Sequence, residues 1–593
     1  MSRASVIILL LFGATLLFAG LGQRTLTQHE VFAAQPAKEM VRYGHWIVPM
    51  FAGIPRTAKP PMTGWLIAGV MKLTGSEAEW AARFPAAAAG LVSAALIAWV
   101  AGRAKGGLVG LVTGLVQLTS VFTLMQARLA EADMIVCAAV SGAMTCLVFG
   151  TLEGWRGDKP CRWLSLTFYA CAGLAFLLKG VPLAFIGLAA VAWALVRHDR
   201  FIVRFLLDPI GLTLLLFCIV AWPVAAYRSY PAILDSWKFE LFGTASGALG
   251  RDPLYTYLLT IPAVLMPWFP LALFSLLVAM VKVWHQPHPI PVALALQSPV
   301  ASGVLNYQTP RQPPPNLWAR ALGATFRHML VGHPFRQFLL CWFLPGVIFL
   351  HFSAFKHKHY PIPMLPPLSL VAAVGLVQYI RWQHQKTKPQ HTMAALLWFA
   401  GLAVAGVAIW RIPPAKPAQL EITAVLIVVW IGGTLAIYFE HEKHLIGQLA
   451  AIFATAWLVG ITVAAIIIPR HFDDYRFSRD FAAAANTKIP PGVMLCIIDP
   501  ELRVEPHVVY YLRPPVQRYP TAGQFLDYVA SGHAPRLLYV VAREDERNTL
   551  AALGTLSPIV AAKPPPGRPR PEQRMVLYQL LTNNDVFSSP TTR

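Results

Sequence analysis

Residues 84–125 read FPAAAAGLVSAALIAWVAGRAKGGLVGLVTGLVQLTSVFTLM. Two apolar runs of 19 residues, 84–102 and 107–125, flank the short basic turn Arg103-Ala104-Lys105. About 20 residues of helix cross the hydrocarbon core of a bilayer, where each backbone polar group must be bonded within its own segment. The stretch reads as a transmembrane hairpin whose turn carries the positive charge of a cytoplasmic loop.

The pattern recurs outward in both directions. Further spans are expected at 4–22, 133–152, 163–179, 181–197, 205–227, 255–281, 337–353, 360–380, 393–410, 420–439 and 446–468, about thirteen in all. Composition agrees, with 56% hydrophobic residues, 13% charged ones and a mean hydropathy of +0.53 over 593 residues. The turns with Arg103–Lys105, Arg156–Arg162, Arg197–Arg204, Lys282–Arg336, Arg381–Lys388 and Lys443 fall on one side, read as cytoplasmic together with the N-terminus. The first run has the basic start, Arg3, of a signal sequence but no small-x-small cleavage site, which favours a retained anchor. An odd number of spans places the tail after Arg470 outside.

The expected fold is thus an α-helical polytopic membrane protein, with residues 1–469 a transmembrane domain and 470–593 a small extracytoplasmic α/β domain. In the tail, Val493–Ile498, Leu537–Val541 and Met575–Leu580 read as buried strands, and Ser478–Ala485 and Ala522–Ala530 as helices. Pro564–Pro571 reads as a linker, and Gln286–Pro315 as a proline-rich insertion on the cytoplasmic side. The net charge of +21 favours anionic partners. Zinc-finger spacing, RNA-binding signatures and basic helices with interleaved aromatics are missing, which argues against nucleic acid. The seven cysteines form no CxxC pair, so neither a disulfide framework nor a thiolate metal site is supported.

Charge on the outer side runs against the positive-inside gradient. Arg42, Arg56, Lys59, Arg83, Arg128, Lys179, Arg228, Lys238, Arg251, Lys356 and Lys358 fall in outer loops or at outer helix ends, joined by Glu30, Glu39, Glu131, Asp133, Glu240 and Asp252. Any one of these taken alone reads as a solvated or snorkelling charge. As a set they point to a site for an anionic lipid headgroup, because ionisable groups at membrane depth are costly.

The first outer loop reads LTQHEVFAAQPAKEM from Leu26 to Met40, GHWIVP from Gly44, KPP from Lys59 and EWAARFP from Glu79. This series resembles the first outer loop of the lipid A aminoarabinose transferase and protein O-mannosyltransferase superfamily of GT-C glycosyltransferases. In the same order, Arg128–Asp133 resembles that superfamily's second outer loop and Lys179-Gly180 the Lys-Gly that ends a later span. Trp237–Glu240 resembles a Trp-x-x-Glu element, Pro267-Trp268 lies in the next span, and Ser353–Tyr360 resembles a Ser-x-x-Lys-x-x-x-Tyr element. The resemblance covers about the first 380 residues. It implies a GT-C-like bundle with a juxtamembrane helical first loop, sited in the plasma (inner) membrane. It also implies transfer of a hexose or pentose from a polyprenyl-phosphate donor on the non-cytoplasmic face, by inverting single displacement. The acceptor class stays open among a lipid (lipid A included), a glycan and a protein.

Two departures stand out. The family's Asp-Glu pair is here His29-Glu30, leaving one carboxylate, and Pro36 interrupts the juxtamembrane helix, so a kink or restart is expected there. Such a reaction needs a carboxylate for the acceptor proton and preorganised cations for the departing phosphate. Glu30 or Asp133 is assigned the acceptor side. Lys59, Arg83, Arg128, Lys179, Glu240, Lys356 and Tyr360 are assigned to donor phosphate or substrate. Thr27-x-x-Glu30 also fits a capping box, which would give Glu30 a structural task instead. A divalent metal on His29, Glu30 and a third ligand is a further option. The competing reading is a transporter or flippase for an anionic lipid or solute, which predicts paired repeats and helices broken at mid-membrane.

Overall fold

In a computed structural model of the chain, residues 1–239, 250–284, 333–354, 356–385, 418–473, 475–498, 506–562 and 574–582 are described. The expected span 393–410, the insertion Gln286–Pro315, the linker Pro564–Pro571 and the candidate Glu240 lie outside those residues.

Eight helices build the half of the molecule that carries the outer charges. They are α1 (Arg3–Phe18), α2 (Gln28–Tyr43), α3 (Met62–Thr74), α4 (Glu79–Lys105), α5 (Gly107–Thr119), α6 (Val121–Gln126), α7 (Asp133–Thr151) and α8 (Arg162–Lys179). The hairpin read from residues 84–125 is α4 and α5, and small residues let its arms touch. A Cβ at Gly110 would sit 2.7 Å from the Ala98 carbonyl oxygen and from Gly102 Cα. Backbones this close are how membrane helices gain packing when lipid offers no hydrophobic drive. Within the bundle Gln117 donates to Ser93, which bonds Ser141, so this buried polar cluster is internally connected.

Among the described residues seven helices are long and apolar enough to cross a membrane. An eighth counts if Thr256–Leu265 and Phe269–Ala279, bent by 105°, form one broken span. The runs expected at 4–22, 107–125 and 181–197 form shorter apolar helices of 16, 13 and 16 residues. In the second of these, Ser120 leaves the helical conformation and the Val121 N–H bonds the Met266 carbonyl instead. Apolar length alone therefore overstates how many full-length spans form among the described residues.

The tail folds into a five-stranded sheet of β3 (Leu495–Ile498), β4 (Val516–Tyr519), β5 (Leu537–Arg543), β6 (Gly554–Ala561) and β7 (Met575–Thr582). The two strands before it, β1 (Met50–Phe51) and β2 (Ile54–Pro55), pair in the first outer loop. The sheet order is β4-β3-β5-β7-β6, parallel across β4-β3-β5 and antiparallel across the rest. The three strands read from sequence are its centre. The two that were missed are its edges, half exposed and carrying Gln517, Arg518 and Pro558, residues that break an apolar run. The expected helices appear as Arg476–Asn486 and Ala522–Ala530.

This sheet packs onto the first outer loop, and one apolar core runs through both. Val31, Ala34 and Met40 of α2 share it with Phe481, Leu495 and Tyr510. Polar ties cross the same seam. Lys38 donates to the carbonyls of Tyr510 and Leu512, and Arg518 N–H donates to the Ala52 carbonyl. The Tyr511 hydroxyl accepts from Leu26 N–H and donates to Glu79. The tail thereby clamps the helix whose opposite flank faces the cavity described next.

Candidate active site at the outer end of the bundle

The site begins at the start of α2. Thr27 accepts from the Glu30 N–H while Glu30 reaches back to the Thr27 N–H, a complete capping box. Gly44, at φ +79°, closes the other end in the left-handed region that favours glycine. Of the kink or restart expected at Pro36, the restart does not occur: α2 runs as one helix through the proline. The proline ring removes one N–H, which frees the Phe32 carbonyl. Phe32 and Pro36 both line the cavity.

Glu30, assigned from sequence to the acceptor side, is fully buried and lies outside the cavity lining. Its Oε1 accepts from Arg83 Nε at 2.7 Å and from Ala130 N–H at 2.9 Å. Its Oε2 accepts from Thr27 N–H at 2.8 Å and from Arg83 Nη2 at 3.1 Å. Four donors occupy both oxygens, and Arg83 with the two backbone N–H groups holds the carboxyl below its usual range against the pull of burial. The His29–Glu30 metal option fails on the same ground, since neither Glu30 oxygen is left for a metal ion.

Arg83 and Arg128, assigned from sequence to donor phosphate or substrate, also lie outside the cavity lining. Besides Glu30, Arg83 donates to the carbonyls of Leu21, Arg24 and Thr25. Arg128 donates to the carbonyls of Leu16, Leu17, Ala19 and Ala464. The first three belong to the C-terminal turn of α1, whose carbonyls lack helical partners and attract a cation. Arg128 staples the end of α1 to the loop before α7, while Arg83, from α4, ties down the connection between α1 and α2.

Asp133 opens α7 and Lys179 closes α8, so the antiparallel pair brings them together. The opposite ends of these helices meet the basic turn 156–162. Lys179 Nζ lies 2.6 Å from Asp133 Oδ1 and 5.4 Å from the centre of the Tyr360 ring. Gly180, at φ +71°, lets the chain turn away directly behind the lysine. These residues face a cavity of about 650 Å³. One wall is α2 with His29, a second is the loop before α7 with Gln126, Glu131 and Asp133, and a third is the segment from Lys356 to Tyr360. Lys59 and Arg56 come from the first loop, and Asp252 from the chain opposite.

Of the residues assigned from sequence, Lys59, Asp133, Lys179, Lys356, Tyr360 and His29 share this cavity, while Glu30, Arg83 and Arg128 do not. Lys356 is buried, and its ammonium donates to the Ser353 carbonyl at 2.7 Å while its N–H donates to Asp252 Oδ2. That geometry makes it chiefly a brace for the loop. Arg56, Lys358, Glu131 and Asp252, read from sequence only as members of the outer charge set, also line the cavity, as do two residues to which the sequence reading gives no role, His357 and His359. The alternating His-Lys-His of 357–359 is the signal that could have marked the last two.

Five cations and three carboxylates meet here, an excess of two positive charges. Burial, with Lys179 nearby and despite Asp133, lowers His359 to about 4, so it is neutral at pH 7. Burial with Lys179 and Lys59 lowers His357 as well. Burial, then Asp133 and Glu30, raises Glu131 to about 7. Among the described residues no group of three or more His, Cys, Asp and Glu side chains is placed to hold a metal.

The helical bundle with a juxtamembrane helix over a cation-rich cavity at one end is similar in architecture to GT-C glycosyltransferases of the aminoarabinose transferase type, the family the motif series resembles. The family described as dolichyl-phosphate-mannose-protein mannosyltransferase matches residues 58–227. Among solved structures, ArnT from Cupriavidus metallidurans bound to undecaprenyl phosphate has the same fold, with a TM-score of 0.71, 18% identity and full coverage of both chains. The undecaprenyl phosphate-alpha-4-amino-4-deoxy-L-arabinose arabinosyl transferase 2 of Proteus mirabilis is 23% identical over 76% of this chain and 72% of its own length. The corresponding transferase of Edwardsiella ictaluri is 26% identical over 40% of this chain, which spans 43% of that relative's length.

Proposed function

We propose that this protein is a multi-pass glycosyltransferase that moves a sugar from a polyprenyl-phosphate carrier to a hydroxyl-bearing lipid, glycan or protein acceptor. The observation that carries this reading is the single cavity joining Lys59, Lys179, Lys358 and Arg56 with Asp133, Glu131 and Tyr360 at one end of the bundle. A phosphomonoester leaving group gains charge as the anomeric C–O bond breaks, and cations fixed beforehand stabilise that charge without reorganising. Asp133 serves as a positioning residue, holding Lys179 so that its ammonium faces the cavity. The relatives' names support a pentosyl donor of the aminoarabinose kind. Loop charges support an inner-membrane protein with its site on the periplasmic side, and residues 470–593 as an outer domain bracing the 1–469 unit.

The test is direct. Purified protein is given labelled undecaprenyl-phosphate-linked aminoarabinose with lipid A, glycan and peptide acceptors, and release of undecaprenyl phosphate is measured. Lys59→Ala and Lys179→Met should raise the donor KM at least tenfold. Absence of sugar–phosphate cleavage with every acceptor would refute the reading.

A further inference from the structure

We propose that Glu131 is the catalytic base of the transfer, taking the proton of the acceptor hydroxyl as that oxygen attacks the anomeric carbon. The inference rests on the glycosyltransferase reading above and names a residue within its site. Three carboxylates line the cavity, and two are committed. Asp133 is bound to Lys179, and Asp252 accepts from the Lys356 N–H. Glu131 makes no side-chain hydrogen bond or salt bridge among the described residues. Its backbone is nevertheless well placed. The neighbouring Ala130 N–H is pinned by buried Glu30, so the Glu30–Arg83 pair fixes the loop that presents Glu131.

In the step, the acceptor O–H bond breaks and its proton goes to Glu131. The acceptor oxygen bonds the anomeric carbon, and the C–O electron pair leaves on the lipid phosphate. Glu131 then returns the proton to water. Asp133 from α7, Glu30 from α2, Lys179 from α8 and Lys59 from the first loop all act on it electrostatically. The balance places its titration near 7, where a base is half ionised at working pH and still strong enough to accept a proton.

The assay is kcat and KM across pH 5–9 for the full-length protein in detergent, with the labelled donor of the preceding section. Glu131→Gln should lower kcat by about 100-fold or more, leave donor KM unchanged and abolish the rise of rate through pH 7. Glu131→Asp should retain that rise at a reduced rate. A Glu131→Gln variant within threefold of wild type, or one that keeps the pH limb at lower rate, overturns the assignment while the function stands. Wild-type protein that cleaves no donor overturns the function and this inference together.

Discussion

Replacing Glu30 by Gln separates a buried structural carboxylate from a catalytic one. The change keeps shape but removes the charge that meets Arg83 at 2.7 and 3.1 Å, in a site where the two residues are 0% and 2% exposed. The new amide can accept through one oxygen only, so two of the four donors now on Glu30 lose their acceptor. Breaking one partner of a buried ion pair costs roughly 3–5 kcal/mol, because the other charge stays desolvated. Arg83 retains three carbonyl acceptors, which places the expected loss at the lower end, about 3 kcal/mol. For a chain of this length that is a fall of a few degrees in Tm, read by fluorescence-detected size exclusion after heating in detergent. Glu30→Gln with Arg83→Met should recover part of the loss, since no lone charge remains buried. A Glu30→Gln protein as stable as wild type but catalytically dead would refute the structural assignment and return Glu30 to the reaction.

Asp133→Asn should free Lys179 from its partner and reduce activity about tenfold or more through a higher donor KM, in the same donor-titration assay. Glu131→Gln should also alter stability with pH. The fold raises that carboxyl from an ordinary value near 4.5 to about 7, so wild type loses stability as pH climbs between those values and the loss is complete above 7. The Gln variant lacks this loss, and its Tm should exceed that of wild type increasingly from pH 5 to 7.5. Tyr511→Phe removes the bonds to Leu26 and Glu79 and should cost about 1–3 kcal/mol. Limited proteolysis should then release the tail sooner.

Much of the scaffold was legible because its signals are local. A run such as 84–102 must be helical in lipid whatever surrounds it, and the basic turn at Arg103–Lys105 orients it. The capping box at Thr27 and Glu30 spans four residues, and the central strands of the tail are unbroken apolar runs. The edge strands lacked that signal, and the cut at Ser120 depends on a carbonyl 146 residues away in sequence, that of Met266.

Sequence by itself thus determined the membrane class and the residue types a lipid-phosphate reaction needs, because hydropathy and charge act residue by residue. Only the tertiary structure decided which of those charges are spent on holding the protein together. Arg83, Arg128 and Glu30 look like Lys59, Asp133 and Glu131 in sequence. What separates them is whether the side chain is turned inward onto distant carbonyls and counter-charges or lines the cavity, and that is set by how α1, α2, α4 and α7 converge, not by any local pattern.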